Sequence, residues 1–191
     1  MKEQAFKKQV FIINGYGCVG KDAFIEMVNN QSYEPSKDRY IKIANYSSVT
    51  KVKEIAKIIG WNGEKTERNR KFLSDLKLLT TEYNDMSLND MKQFATDFMN
   101  YNFNNSKMLF LHIREPEEIK KAVIEFKKYD VKTILVKRDS VEHITSNMAD
   151  KNVYNYNYDI VINNNGTFED LKEKADDFLN DFSKGVFKIE Y

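Results

Sequence analysis

A short apolar run, Val10-Phe11-Ile12-Ile13, leads into Gly15-Tyr16-Gly17-Cys18-Val19-Gly20-Lys21-Asp22, and an amphipathic segment opens at Lys21. Few local patterns constrain a chain more. Strand, glycine-rich turn and helix follow in order, and Gly15, Gly20 and Lys21 match the spacing G-x-x-x-x-G-K of a phosphate-binding loop. Glycines let the backbone curl so that successive N–H groups point inward and make a nest for an anion. The positive end of the following helix dipole adds to that field, and Lys21 reaches the outer phosphates as a mobile point charge. The competing reading is a glycine-rich turn with an exposed lysine. The coincidence of both glycines, the lysine and the strand–helix context favours the loop.

Asp22 stands where the pattern has Ser or Thr, whose hydroxyl would enter the Mg²⁺ shell of a bound nucleotide. A carboxylate there has two uses. It holds the metal, directly or through water, or it caps the helix N-terminus. Asp22 is the candidate metal ligand.

The 191 residues suit one domain with a sizeable core, and 41% hydrophobic against 31% charged residues describe a globular chain. Thirty basic and 29 acidic residues leave a formal net charge of +1, so no global field favours nucleic acid or a membrane surface. A single cysteine, Cys18, rules out a disulfide framework, and two distant histidines build no Cys/His metal cluster. A reducing cytoplasm is the expected compartment. No signal-peptide pattern opens the chain, and no apolar run reaches the length of a membrane span.

The rest of the chain alternates. After a helix over about 21–29 and a polar connection (QSYEPSKDR), residues 40–46 read as a second strand. Val49, Val52, Ile55, Ala56 and Ile59 keep helical spacing until Gly60-Trp61-Asn62-Gly63 breaks it. The segment 64–81 carries a stripe of Phe72, Leu73, Leu76 and Leu79, with Arg68, Arg70 and Lys71 at its first turns. Cations do not suit a helix start, so the cluster is either a solvated basic surface or a site for an anionic ligand. Leu88, Met91, Phe94, Ala95, Phe98 and Met99 make a further helix whose apolar face is core. Residues 107–113 are a nearly continuous apolar strand, as in a parallel sheet covered on both faces. Pro116, Glu117 and Glu118 suit the start of the next helix. Residues 131–136 and 159–163 are the fourth and fifth strands. Thr167 and Asp170 form a capping box for a last helix that buries Phe168, Leu171, Ala175, Phe178, Leu179 and Phe182.

Five strands alternating with helices predict an α/β domain with a mostly parallel sheet, whose ligands bind beyond the carboxyl ends of the strands. That rule gathers the glycine loop, Arg114 and Arg138 at one edge. Converging cations are what phosphoryl transfer needs, since catalysis there is mostly positioning and charge neutralisation.

The segments GYGCVGKD, EKTERNRKFLSDLK, LHIREPEEI and DIVINNNGTFEDL together resemble the nucleoside monophosphate kinase group of P-loop proteins, in particular its deoxynucleoside monophosphate kinase and dephospho-CoA kinase branch. Several members of that branch, and the animal-type phosphomevalonate kinases, share the G-K-D loop ending. The resemblance implies a three-layer α/β/α P-loop NTPase fold with a five-stranded, mostly parallel sheet over residues 1–191. It implies an acceptor-binding helical insertion at about 47–105 and a short lid at about 138–157. ATP and Mg²⁺ would be the cofactors, and the nucleotide-binding set Gly15, Tyr16, Gly17, Cys18, Val19, Gly20, Lys21, Asp22 and Ala23. Arg68, Arg70 and Lys71 would receive the acceptor monophosphate. Lys21, Arg114 and Arg138 would be the catalytic cations, Arg138 opening the lid, and residues 164–166 would lie near the adenine. The group usually ends its third strand in an acid that organises Mg²⁺. Here His112 holds that place, with Asp22, Glu115 or Glu117 as substitutes.

The expected activity is an ATP-dependent small-molecule phosphotransferase, a (deoxy)nucleoside monophosphate kinase acting as monomer or homodimer. The alternatives are a kinase of another phosphorylated metabolite, such as an isoprenoid precursor, and a nucleotide-binding regulatory domain without turnover.

Overall fold

The strand that opens the glycine loop, β1 (Lys8–Asn14), is buried from Gln9 onward. Residues apolar on both faces, as Val10 to Ile13 are, belong at the centre of a sheet covered on both sides. The computed structural model, which describes residues 6–37, 39–101, 105–141 and 152–191, places β1 there. The other elements, in chain order, are α1 (Lys21–Asn30), β2 (Tyr33–Glu34), β3 (Arg39–Ser47), α2 (Thr50–Ile58), α3 (Glu67–Asn84), α4 (Met86–Asn100) and β4 (Ser106–His112). After them come α5 (Pro116–Glu125), β5 (Lys132–Lys137), β6 (Ile160–Asn163) and α6 (Phe168–Lys184).

The sheet runs β2-β3-β4-β1-β5-β6, six strands rather than the expected five. The extra strand, β2, lies in the stretch read as a polar connection and pairs antiparallel with the start of β3. Two residues are too short to carry a periodicity, which is why the pattern missed it. All other pairings are parallel, so five carboxyl ends share one edge. The chain leaves β1 for β3, returns through β4, and crosses to β5 on the other side. The connections therefore diverge at β1, where an open α/β sheet offers a crevice.

Alternate residues of the central strands face opposite layers. Phe11, Ile13, Met108 and Phe110 pack against α1 and α6. Val10, Ile12, Leu109 and Leu111 pack against α4 and α5. Phe11 stacks on Phe110 at 5.3 Å and meets Phe178 of α6 at 5.0 Å, each such pair adding roughly 0.5–1.5 kcal/mol beyond burial. Buried polar groups fasten the layers. Arg39 donates to Asp176 (2.7 Å) and Asn180 (2.6 Å) of α6. The Lys107 ammonium donates to the Phe98, Met99 and Tyr101 carbonyls where α4 ends, supplying acceptors for a charge inside the core.

Two helices depart from expectation. On α3, Leu79 is exposed with Leu78 and Tyr83, while Phe72, Leu73 and Leu76 are half-buried; the buried side chain is Lys77. An ion pair, described below, takes the inward face. On α6 the Thr167–Asp170 capping box forms as read, but Phe168 in its first turn is exposed. Among the described residues no helix is long and apolar enough to cross a membrane.

Candidate functional site

The site begins with a buried amide. Asn14 closes β1 with no exposed surface, and its Oδ1 accepts the Gly15 N–H at 2.8 Å. Its Nδ2 donates to the Arg114 carbonyl (3.0 Å) and the Tyr158 hydroxyl (2.7 Å). Tyr158 in turn donates to the Val153 carbonyl at 2.8 Å, and burial pushes its phenol up to about 12. One residue thus ties the loop entrance to the exit of β4 and to the segment before β6.

The loop curls over this anchor. Gly15 sits at φ 146°, and a Cβ there would stand 2.5 Å from the Val136 carbonyl oxygen. Gly20, the N-cap of α1, sits at φ 96°, where a Cβ would overlap the Asn164 amide. That amide donates to the Val19 carbonyl at 2.9 Å, and the Asn164 N–H donates to the Lys137 carbonyl at 2.7 Å. The back of the loop is therefore pinned to the ends of β5 and β6. Among the described residues no acceptor takes the N–H of Gly17, Cys18, Val19 or Gly20. Successive unused amides ahead of a helix make an anion-binding concavity. Lys21 bends back over it, donating from Nζ to the carbonyls of Gly15 (2.7 Å) and Tyr16 (2.6 Å). Tyr16 is buried edge-on against Tyr154 at 5.3 Å, Cys18 is exposed at φ 64°, and Ala23 is half-buried in the first helical turn.

Beside the nest, Asp22 is 89% exposed and lies 3.6 Å, from Oδ1, from His112 Nε2 at the end of β4. Helix α1 starts without a side-chain cap bond, so Asp22 contributes a first-turn charge and not a capping hydrogen bond. The His112 side chain is 15% exposed, and its Nε2 is buried with no hydrogen-bond partner among the described residues. Burial pulls its pKa down to about 4; Asp22 opposes the shift, and Lys21 and Arg114 add to it. Near neutral pH the ring is uncharged.

The other predicted residues are distributed differently. Arg114 follows β4 beside His112, its carbonyl held by Asn14. Arg138 is exposed after β5, next to a clamp in which Asn165 accepts from the Asp139 N–H (2.8 Å) and donates to its carboxylate (2.7 Å). Of the expected lid, residues 142–151 lie outside the described residues. Arg68 and Arg70 are exposed on the first turn of α3, and Lys71 pairs with Asp75 at 2.7 Å. Thr66 caps that helix and Glu67 opens it, so the dipole has its own complement.

Glu115, one of the expected substitute acids, is engaged in an ion pair with α3. Lys77 of α3, 9% exposed, binds Glu115 at 2.6 Å and Glu118 at 2.8 Å. For Glu115, burial opposes ionisation but Lys77 outweighs it and holds the carboxyl below the usual range; Glu118 lies above it, through burial and the neighbouring Glu115. Glu117 is exposed and pairs with Lys120. Among the described residues no three His, Cys, Asp or Glu side chains gather as a metal cluster. Sequence reasoning missed Asn14, Tyr158 and the clamping role of Asn164. Asn14 alone carried a signal, an amide ending an apolar run where the sheet edge begins.

By fold the chain belongs with α/β proteins whose mostly parallel sheet carries a glycine loop and helix at the point where the connections diverge. No protein-family model matches the chain, and no curated protein matches it in sequence. Among solved structures it is similar to the tunicamycin resistance protein of Deinococcus radiodurans, with a TM-score of 0.50 over 95% of this chain and 98% of that one, at 8% identity. Likeness at that identity is likeness of fold.

Proposed function

We propose that this protein is an ATP-dependent phosphotransferase, with a (deoxy)nucleoside monophosphate as the acceptor. The observation that carries the reading is the nest of four unused N–H groups, Gly17 to Gly20, under the Lys21 ammonium and ahead of α1. The fold shared with a tunicamycin resistance protein is compatible with it at the coarse level of a kinase-like architecture.

The donors present fit the groups the reaction needs. Backbone amides and Lys21 match the charge of a triphosphate, and Asp22 offers one hard oxygen to Mg²⁺, which takes few protein ligands when phosphates supply the rest. ATP supplies the phosphoryl group. Lys21 neutralises charge on the outer phosphates, Arg114 and Arg138 neutralise it from the acceptor side, and the loop holds the nucleotide in line. A phosphate acceptor is already ionised near neutral pH, so no strong base is needed. Arg68, Arg70 and Lys71 are the proposed acceptor contacts, on the helices between β3 and β4.

His112, standing where this class of enzyme has an acid, favours a second reading: a nucleotide-binding regulatory domain without turnover. ADP release measured across a panel of nucleoside, deoxynucleoside and isoprenoid monophosphates separates the two. Turnover with one nucleotide acceptor supports the kinase. Nucleotide binding with no ADP release for any acceptor supports the regulatory domain.

A further inference from the structure

Resting on the nucleotide-binding reading, we infer that His112 and Asp22 form a mixed nitrogen–oxygen site that, with nucleotide phosphates, holds one divalent cation and favours ions that accept imidazole, such as Mn²⁺ or Co²⁺, over Mg²⁺.

The first observation is the orphaned nitrogen. His112 Nε2 is buried and has no hydrogen-bond partner among the described residues, an arrangement that is unfavourable unless something engages it. The second is its direction, with Asp22 Oδ1 only 3.6 Å away at the mouth of the phosphate nest. Two ligands each about 2.1 Å from one ion stand about 3 Å apart when adjacent, and the exposed Asp22 side chain needs only a small rotation to close the gap. The third is the absence of competition. Among the described residues, Glu115 and Glu118 pair with Lys77, and Glu117 pairs with Lys120. Imidazole is a poor ligand for hard Mg²⁺ and a good one for borderline ions.

The rival role for His112 is support, its N–H donating to Asp22 and orienting that carboxylate. Direct ligation and support differ in one readout. Protein loaded with a non-hydrolysable ATP analogue and Mn²⁺ should show imidazole nitrogen coupling in pulsed electron paramagnetic resonance. His112→Ala and His112→Gln should both abolish the coupling and weaken Mn²⁺ about tenfold or more while leaving Mg²⁺ affinity near its original value. Asp22→Asn should weaken both ions. A wild-type spectrum without nitrogen coupling overturns the inference, as does an equal loss of Mn²⁺ and Mg²⁺ in the histidine variants. Analogue binding, measured with Mg²⁺, with Mn²⁺ and in EDTA, keeps the two readings apart. Binding in any of these conditions without nitrogen coupling removes only the metal site, whereas no binding in all three removes the nucleotide reading and the metal site with it.

Discussion

At the scale of single residues, the loop shows how local geometry decides which glycines matter. Gly15 combines a positive φ with a carbonyl 2.5 Å from where its Cβ would stand, whereas Gly17 has neither a positive φ nor a neighbour within 4 Å. Gly15→Ala should therefore abolish nucleotide binding and lower the melting temperature. Gly17→Ala should melt like the wild type, by differential scanning fluorimetry, because it meets open space. Lys21 makes a different case. Its bonds to the Gly15 and Tyr16 carbonyls are made at a half-buried surface, so their loss costs little stability. Lys21→Ala should lower kcat about 100- to 1000-fold with the melting temperature nearly unchanged. Unaltered turnover would remove Lys21 from the chemistry.

At the scale of elements, α3 is held to the first turn of α5 by one lysine between two carboxylates. Lys77→Met leaves Glu115 and Glu118 facing each other without a cation. Since Glu115 is partly exposed, the loss should be about 1–3 kcal/mol, below that of a fully buried pair. Denaturant titration should show most of it restored in Lys77→Met with Glu115→Gln and Glu118→Gln added. The first turn of the same helix offers the functional test. If Arg70 binds the acceptor phosphate, Arg70→Ala should raise the acceptor KM several-fold more than the KM for ATP. Equal changes in both, or none, would make the cluster an ordinary solvated surface, as its exposure and the Lys71–Asp75 pair would then suffice to explain.

At the scale of the whole molecule, His112 links folding to pH. Its folded pKa, about 4, lies below the unfolded value of 6.5, so between these the unfolded chain binds the extra proton. Stability from this group is complete above pH 6.5 and is lost as the pH falls toward 4, by an amount on the order of 3 kcal/mol at most. Unfolding free energies of wild type and His112→Asn, measured from pH 7.5 to 4.5, should diverge in that window, the variant showing the shallower slope. Parallel curves would mean that the imidazole is solvated.

The α/β class, the central apolar strand, the loop and its lysine, and the α6 capping box were all legible in the chain, because each rests on periodicity or spacing within a short segment. β2 was not, since two residues carry no period and depend on β3 for a partner. Neither was the inward face of α3, where Lys77 displaces the leucines because two carboxylates 38 and 41 residues away supply its counter-charge. Most of the site lies in this second class. Asn14 reaching Arg114 and Tyr158, Asn164 clamping Val19, and His112 beside Asp22 join segments far apart in the chain, and only the strand order brings them to one edge. The sequence by itself determined where the glycine loop and its helix form, because such a turn needs only local backbone conformation. Tertiary structure decided what stands around that loop, because those neighbours exist only once β4, β5 and β6 lie beside β1.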